Sequence, residues 1–325
     1  MIPTTGGAPG EGVNPLETQA FSGSDVPPAL EVTEAGEAGG IGGLGLIIWR
    51  VFAENKLALI SIGVIVFMLL FCFVGPHIYH TNQTYLVITQ VGQVLAHPSS
   101  QHLLGTDSNG YDTLGRLMVG GATALEIALL AAGIATAFGV LYGAVSGFAG
   151  GFVDAIMMRV VDTILSVPIL FLLIVIAAIL HPSFWLIVFI VALAAWLVPA
   201  RLIRGETLTL RTREYVQAVR AMGGNGGRIV LRHIIPNAVG TIIVNATFQI
   251  ADAVGLLAAL GFLGFGVPPP GTSWGQMLSD GISYAQEGAW WLIYPAGICI
   301  ILITVSFNYI GDALRDAFEV RLQRR

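Results

Sequence analysis

The sequence predicts an all-α, polytopic membrane protein with six transmembrane helices. Of its 325 residues, 55% are hydrophobic and only 11% are charged, and the mean hydropathy is +0.78. A soluble domain of this composition would expose large apolar patches to water. The chain also contains six apolar runs of about 18 residues or more, each long enough to cross a hydrocarbon core of ~30 Å.

The composition divides the chain into four parts. Residues 1–43 are acidic, rich in Gly, Pro, Glu, Ser and Thr, and predict a disordered cytoplasmic tail. Residues 44–121 hold the first span and an extracytoplasmic loop, and residues 122–311 hold five further spans with a cytoplasmic loop at 205–236. Residues 312–325 are predicted to form a basic cytoplasmic C-terminal tail. No secretory signal is expected, because no basic segment precedes an apolar one at the start.

Six spans follow from the apolar runs. In order, they are predicted at Leu57–Val74, about Ala122–Phe148, from after Asp154 to Leu180, Phe184 to about Ile203, Ala238 to about Gly264, and Ala289 to about Ile310. In the second span a glycine recurs at every fourth position, a pattern that favours close helix packing. These glycines are Gly139, Gly143, Gly147 and Gly151.

The positive charges predict the orientation. Basic residues cluster before the first span, between the fourth and fifth, and after the sixth, which six spans place on one side. Because cytoplasmic loops carry the excess of Lys and Arg, that side is expected to be the cytoplasm, with both termini inside. Arg116 alone falls on the far side, and Arg159 lies just inside the third span.

The segment from Arg213 to Pro236 predicts a helix–turn–helix at the cytoplasmic surface. Its first helix has an apolar face, glycines from Gly223 onward break it, and a second helix, Arg228–Ile235, is expected to stop near Pro236. The face comprises Tyr215, Ala218, Val219 and Met222. The pattern alone fits either an ordinary charged loop or a docking element for a cytosolic partner.

A polar stripe runs along the fifth span. Its members are Thr241, Asn245, Gln249 and Asp252. Polar groups are costly in lipid, so the stripe should face protein or water, either as a wall of a translocation path or as interhelical hydrogen-bonding groups. Arg159 and Asp162, three residues apart near the cytoplasmic end of the third span, are expected to form a structural pair.

Other residues with reactive or metal-binding side chains are expected to have structural roles. His102, Asp107 and Asp112 match no known metal-site spacing and are expected to order their loop. Cys72 and Cys299 lie inside apolar runs and are expected to be packing residues. No metal or cofactor is expected on this chain, and nothing in its charge pattern suggests nucleic-acid binding.

The Arg213–Pro236 segment resembles the EAA motif of ABC importer permeases. Gln217 stands at the Glu position, Ala218 and Val219 at the two Ala positions, and Gly223 and Pro236 at the Gly and Pro. Five further stretches resemble the C-type subunit of the dipeptide/oligopeptide/nickel branch. They are WRVFAENKLALISIGVIV, GTDSNGYDTLGRLMVGGA, MRVVDTILSVP, LGFLGFGVPPPGTSWGQMLSDG and FNYIGDALRDAF.

The sequence departs from that branch at three places. Tyr111 replaces the usual Arg and Gly115 the usual Ser of the second stretch. The carboxylate that often precedes LGFLGFG is absent, and the nearest acid is Asp252.

The resemblance implies a type I ABC importer permease fold, one half of a peptide translocation pathway, in a bacterial-type plasma membrane. It also implies a second, homologous permease, an extracytoplasmic substrate-binding protein, and two cytosolic ATP-binding subunits that carry ATP and Mg²⁺. The sole lysine, Lys56, follows Asn55, so no phosphate-binding GxxxxGK[ST] loop exists and this chain is not expected to be an enzyme. The implied ATPase-coupling residues are Glu214, Tyr215, Gln217, Ala218, Val219, Arg220, Ala221, Met222, Gly223, Arg232 and Pro236.

Three alternatives remain open at this point. An importer of nickel or another small solute would look alike in these motifs. An ion-coupled secondary transporter would need a buried relay and usually inverted repeats, and no repeat is visible. A membrane scaffold without transport activity would not need the polar stripe.

Overall fold

The structure is a computed structural model that describes residues 52, 54–81, 94–180 and 182–323, with side chains through residue 319. The predicted tail at 1–43 and the last two arginines lie outside these ranges. Within them, all regular structure is helical, apart from an isolated antiparallel bridge between Thr106 and Asp112.

Twelve α-helices lie in the described ranges. They are α1 Lys56–Leu69, α2 Gly75–Ile78, α3 Thr113–Ala149, α4 Gly151–Leu165, α5 Ile169–Ile179, α6 Phe184–Ala195, α7 Leu197–Leu210, α8 Glu214–Ala221, α9 Gly226–Ile229, α10 Val239–Phe262, α11 Trp274–Ile282 and α12 Tyr294–Gln323. A π-helical turn, Leu70–Val74, joins α1 to α2, so the first span runs unbroken from Lys56 to Ile78.

The described helices give up to six candidate spans. Four helical segments are long and apolar enough to cross a membrane, and two bent pairs, α4 with α5 and α6 with α7, bring the number to six when each counts as one. Polar side chains start several of them: the Asn55 Oδ1 accepts a hydrogen bond from Leu57 N at 3.1 Å, and Asp112 Oδ1 accepts one from Gly115 N at 2.7 Å.

Two spans extend beyond their predicted bounds by about nine residues or more. The second begins at Thr113, not near residue 122, because Asp112 caps the helix there, and its 37 residues extend about 55 Å. The sixth continues to Gln323, so the predicted C-terminal tail is helical for most of its length. Ala313 and Ala317 are buried, which anchors this extension.

The third span is not the continuous helix that the apolar run predicted. Its two halves meet at 79° across Ser166–Pro168. Pro168 has no backbone N–H to continue the helix, and the Ser166 hydroxyl donates to the Thr163 carbonyl at 2.7 Å. The fourth span bends less, by 41° near Trp196.

Three of the four glycines in the repeat, all in α3, have the predicted role. A Cβ added at Gly139 would lie 2.6 Å from the Trp196 carbonyl oxygen, and one at Gly147 would lie 2.8 Å from that of Arg204. Gly143 would meet the Ala200 carbonyl in the same way. The backbones of α3 and α7 therefore touch along three turns, whereas Gly151 faces open space and takes no part.

Candidate functional site

The inner face of α8 attaches the helix to the rest of the chain. Val216 is 1% exposed and belongs to a buried apolar cluster that includes Val140 of α3 and Ile203 of α7. Val219 is partly buried against the same cluster. The prediction that Val219 lies on the outward apolar face is therefore wrong, and Val216, one helical turn before it, was missed.

The outer face of α8 is open. Met222 is 79% exposed and Tyr215 is 39% exposed, and both are large hydrophobic side chains. Glu214, Gln217, Ala218 and Ala221 are exposed around them. Because the inner valines fix the helix, this outward surface is presented in one orientation.

The end of α8 is a glycine turn of the predicted kind. Gly223 has φ +81°, a left-handed conformation that costs a Cβ-bearing residue about 1–2 kcal/mol. Gly223 N donates to Arg220 O at 3.0 Å and Gly224 N donates to Val219 O at 2.9 Å, the pair of bonds that defines a Schellman motif.

The second half of the loop is less regular than predicted. The helix expected at Arg228–Ile235 starts at Gly226 and is α-helical only to Ile229. A π-helical turn, Val230–Ile234, and a 3₁₀ turn, Ile235–Asn237, then lead into α10, with Pro236 at the start of the 3₁₀ turn. Arg232 is exposed on this segment.

Phe148, at the end of α3, contacts both halves of the loop. The Arg220 guanidinium carbon lies 5.1 Å from the centre of its ring, within the range of a cation–π interaction. A Cβ at Gly226 would approach the same ring to 2.9 Å. The loop is thus seated on the second span through one aromatic side chain.

A partly buried ionic cluster, not anticipated from the sequence, joins α7 to the start of the third span. Arg204 forms a two-pronged salt bridge with Asp154, with both nitrogen–oxygen distances at 2.6 Å. The Ser146 hydroxyl donates to Asp154 at 2.5 Å, and Arg211 donates to the Gly147 carbonyl at 2.9 Å. The cluster therefore ties α7, the helix that precedes α8 in the chain, to α3 and α4.

The expected pair between Arg159 and Asp162 does not form. Asp162 instead makes an ion pair with Arg201, across the contact between α4 and α7. Tertiary packing supplies a partner that a three-residue spacing on one helix could not reveal.

Gln249 bonds to the bend of the fourth span. Its side-chain Nε2 donates to the Ala195 carbonyl oxygen. In a regular helix this carbonyl would accept from residue 199, but that residue is Pro199 and has no N–H. Gln249, 2% exposed, supplies the donor that the proline removes.

The polar stripe of α10 is split between two clefts. Thr241 and Asn245 line a cleft of about 390 Å³ beside Phe248 and the helical extension of α12. Gln249 and Asp252 line another, of about 470 Å³, next to the bends of the third and fourth spans. The four residues are therefore not one continuous wall.

The loop between the first and second spans is ordered by hydrogen bonds, as predicted for His102, Asp107 and Asp112. His102 Nδ1 lies 2.7 Å from Asp112 Oδ2, and Tyr79 donates to the same oxygen at 3.1 Å. Asp107 Oδ1 accepts from Asn109 N and Tyr111 N, each at 2.9 Å. Burial raises the pKa of Asp107 above its usual value, although these hydrogen bonds and the nearby positive charge of Arg116 act to lower it.

Three further residues were singled out in the sequence, namely Tyr111, Cys72 and Cys299. Tyr111, which departs from the motif, stacks its ring under the Arg116 guanidinium, 4.6 Å from ring centre to carbon. Cys72 and Cys299 are free thiols, both buried.

Comparison with known proteins identifies the family. Residues 139–324 match the family described as binding-protein-dependent transport system inner membrane component. Residues 44–98 match the N-terminal TM domain of oligopeptide transport permease C. Both regions fall where the motifs predicted them.

Several curated proteins are similar in sequence to this chain along most of its length. The oligopeptide transport system permease protein OppC of Bacillus subtilis is 36% identical over 295 residues, 89% of this chain and 95% of its own. The corresponding OppC of Salmonella typhimurium is 36% identical, with 83% and 89% covered. The dipeptide transport system permease protein DppC of Alkalihalophilus pseudofirmus is 35% identical, with 83% and 88% covered. The chain belongs to the family of binding-protein-dependent transport system inner membrane components.

Proposed function

We propose that this chain is the C-type transmembrane subunit of an ATP-driven peptide importer and that α8 with its glycine turn is the element that couples it to the ATPase. The single observation that carries the coupling role is the two-sidedness of α8. Its inner face is fixed by Val216 at 1% exposure, and its outer face presents Met222 at 79% exposure. A peptide substrate is supported by the names of the relatives, all of them peptide permeases.

The exposed apolar surface of α8 is large enough to supply the binding free energy that coupling requires. Burying the exposed parts of Met222 and Tyr215 would contribute about 2–3 kcal/mol, and two such helices, one per permease, about 4–6 kcal/mol. Driving a two-state transporter from 1:99 to 99:1 needs about 5.5 kcal/mol of differential binding. Exposed ion pairs of the loop arginines, worth ~0–1 kcal/mol each, would add little.

The complete transporter contains four further proteins in this proposal. A second, homologous permease completes the pathway, two cytosolic ATP-binding subunits hold ATP and Mg²⁺, and an extracytoplasmic protein delivers the peptide. The arginine distribution supports a cytoplasmic location for α8 and for both termini. The stripe residues of α10 are assigned to the pathway as linings of its two separate clefts, and Gln249 also supports the bend of the fourth span.

Uptake by reconstituted vesicles tests the proposal. Proteoliposomes that contain all five proteins should accumulate a radiolabelled dipeptide only when ATP is trapped inside and the binding protein is outside. Uptake of Ni²⁺ in place of the dipeptide would reassign the substrate. Uptake driven by an imposed ion gradient without ATP would refute an ATP-driven importer altogether.

A further inference from the structure

The cleft of about 470 Å³ lies where four spans reach their midpoints. Asp252 is near the middle of α10, and Thr304 is near the middle of the sixth span. Leu165 and Ile169 flank the bend of the third span, and Ala195 lies at the bend of the fourth. Transport sites are commonly found where two interrupted helices face one cavity at mid-membrane, because backbone polar groups are exposed at the breaks.

The cleft has a single charge. Among its described lining residues, only Asp252 is ionisable, and most of the others are aliphatic. Asp252 is exposed to the cleft and makes no ion pair with any residue that the structure describes. A carboxylate at the centre of a lipid-facing helix would cost about 2.5–3.5 kcal/mol, so this cleft must face water or a partner and not lipid.

A second polar group lines the cleft without a partner. The Thr304 hydroxyl is buried and makes no hydrogen bond within the described part of the chain. Buried hydroxyl groups normally find a partner, so an unpaired one in the same cleft as a carboxylate marks a place for a polar ligand. Gln249 is not available in the same way, because its Nε2 is bonded to Ala195.

We infer that this cleft binds the ammonium group of the transported substrate, with Asp252 as its counter-ion and the Thr304 hydroxyl as an additional acceptor. The inference rests on the proposed function and deepens it by naming the chemical group recognised in the membrane. An ammonium donates three hydrogen bonds and carries the charge that complements the carboxylate. Every unmodified peptide has this group at its N-terminus, so such a site serves many side chains.

A cysteine next to the carboxylate reports the field in the cleft. Leu256 lines the cleft one turn after Asp252, and helix positions four apart lie about 5–6 Å from each other. In the complete transporter, with Cys72 and Cys299 replaced by Ala, Leu256→Cys is treated with a cationic and an anionic methanethiosulfonate of similar size. The ratio of the two rates cancels any change in thiol reactivity that affects both reagents.

We expect Asp252→Asn to lower the cationic-to-anionic rate ratio about tenfold, from the Coulomb energy of one charge at this distance in a hydrated cleft. Asp252→Glu should restore most of the ratio. Asp316→Asn is the matched control, because it removes an exposed carboxylate of α12 that does not line the cleft. An unchanged ratio in Asp252→Asn would overturn the inference.

Protection of the same cysteine identifies the ligand. Millimolar glycylglycine, added without the binding protein, should slow labelling, whereas N-acetylglycylglycine, which lacks the ammonium, should not. Equal protection by both peptides, or protection by Ni²⁺ or K⁺ alone, would overturn the ammonium assignment.

The two proposals fail separately. ATP-driven dipeptide uptake is measured on the same preparation with native Asp252. Uptake together with an unchanged rate ratio refutes only the ammonium site, whereas absent uptake refutes the proposed function.

Discussion

The bond between Gln249 and the Ala195 carbonyl predicts a measurable coupling between Gln249 and Pro199. Gln249→Met keeps a side chain of similar length but removes the donor. The Ala195 carbonyl then has no helical donor, because Pro199 has no N–H. A buried carbonyl left unpaired costs about 1–3 kcal/mol, while interhelical hydrogen bonds in membranes average ~0.6 and reach ~1.7 kcal/mol. We therefore expect the variant to lose about 1–2 kcal/mol of the free energy of unfolding.

Pro199→Ala restores the missing N–H. By itself it should cost about 1–2 kcal/mol, because the proline ring packs against α3, where a Cβ at Gly139 would lie 2.9 Å from its Cγ. In the Pro199→Ala background, however, the helix supplies its own donor to Ala195. The additional cost of Gln249→Met should then fall by about 1 kcal/mol or more.

A double-mutant cycle measures this difference. Pulse proteolysis across an SDS titration, followed by immunoblot of this chain within the purified transporter, gives the free energy of unfolding for the native protein and the three variants. Equal costs of Gln249→Met in the native and the Pro199→Ala backgrounds would refute the idea that the glutamine substitutes for the missing N–H.

Three other predictions concern α8 and the loop that contains Asp107. Gly223→Val should leave the chain inserted but weaken ATPase association or uncouple ATP hydrolysis from uptake, because the turn has φ +81°. Gly227→Val is the control, because Gly227 has no positive φ and a Cβ there would meet only Asn225 Oδ1, at 4.0 Å. Val216→Ala should destabilise the chain by about 2 kcal/mol in the same proteolysis assay, whereas Met222→Ala should leave its stability unchanged and weaken only the ATPase complex. Burial raises the pKa of Asp107, so the folded loop binds a proton on this carboxylate more tightly than the unfolded chain does. The resistance of the loop to proteolysis should therefore rise as the pH falls through the raised pKa. Asp107→Asn should remove this pH dependence.

Each of these predictions has a clear contrary result. Wild-type uptake by Gly223→Val would exclude the loop as the coupling element. Equal loss of stability at positions 216 and 222 would mean that α8 has no fixed inner face. Proteolytic resistance that falls on acidification would contradict the direction given for the Asp107 pKa.

Local signals predicted the fold and the site where one stretch of chain decides the outcome. Hydropathy located all six spans, the four-residue glycine period located the α3–α7 contact, and the glycine run located the left-handed turn at Gly223. Each of these three signals is local: the length of an apolar run, the small size of glycine, or the backbone conformation that glycine allows. The family motifs placed the same loop between the same spans.

Features that depend on a distant helix were not predictable in this way. The apolar positions of α8 fit two faces, and only the cluster formed with Ile203 and Val140 selects Val216 over an outward Val219. The partner of Asp162 was sought on its own helix, but packing brings Arg201 to it. The 79° bend at Pro168 was missed because hydropathy measures the length of an apolar run and not its direction.

The central claim is that the outer face of α8 docks the ATP-binding subunits, and a cross-linking measurement tests it most directly. Met222→Cys, in a chain whose Cys72 and Cys299 are replaced by Ala, is labelled with a thiol-reactive photo-cross-linker in the complete transporter, and Val216→Cys is the inward-facing control. The account predicts that illumination joins position 222, and not position 216, to an ATP-binding subunit, in a yield that changes with ATP. Cross-links from position 222 to lipid or to the second permease alone would contradict it.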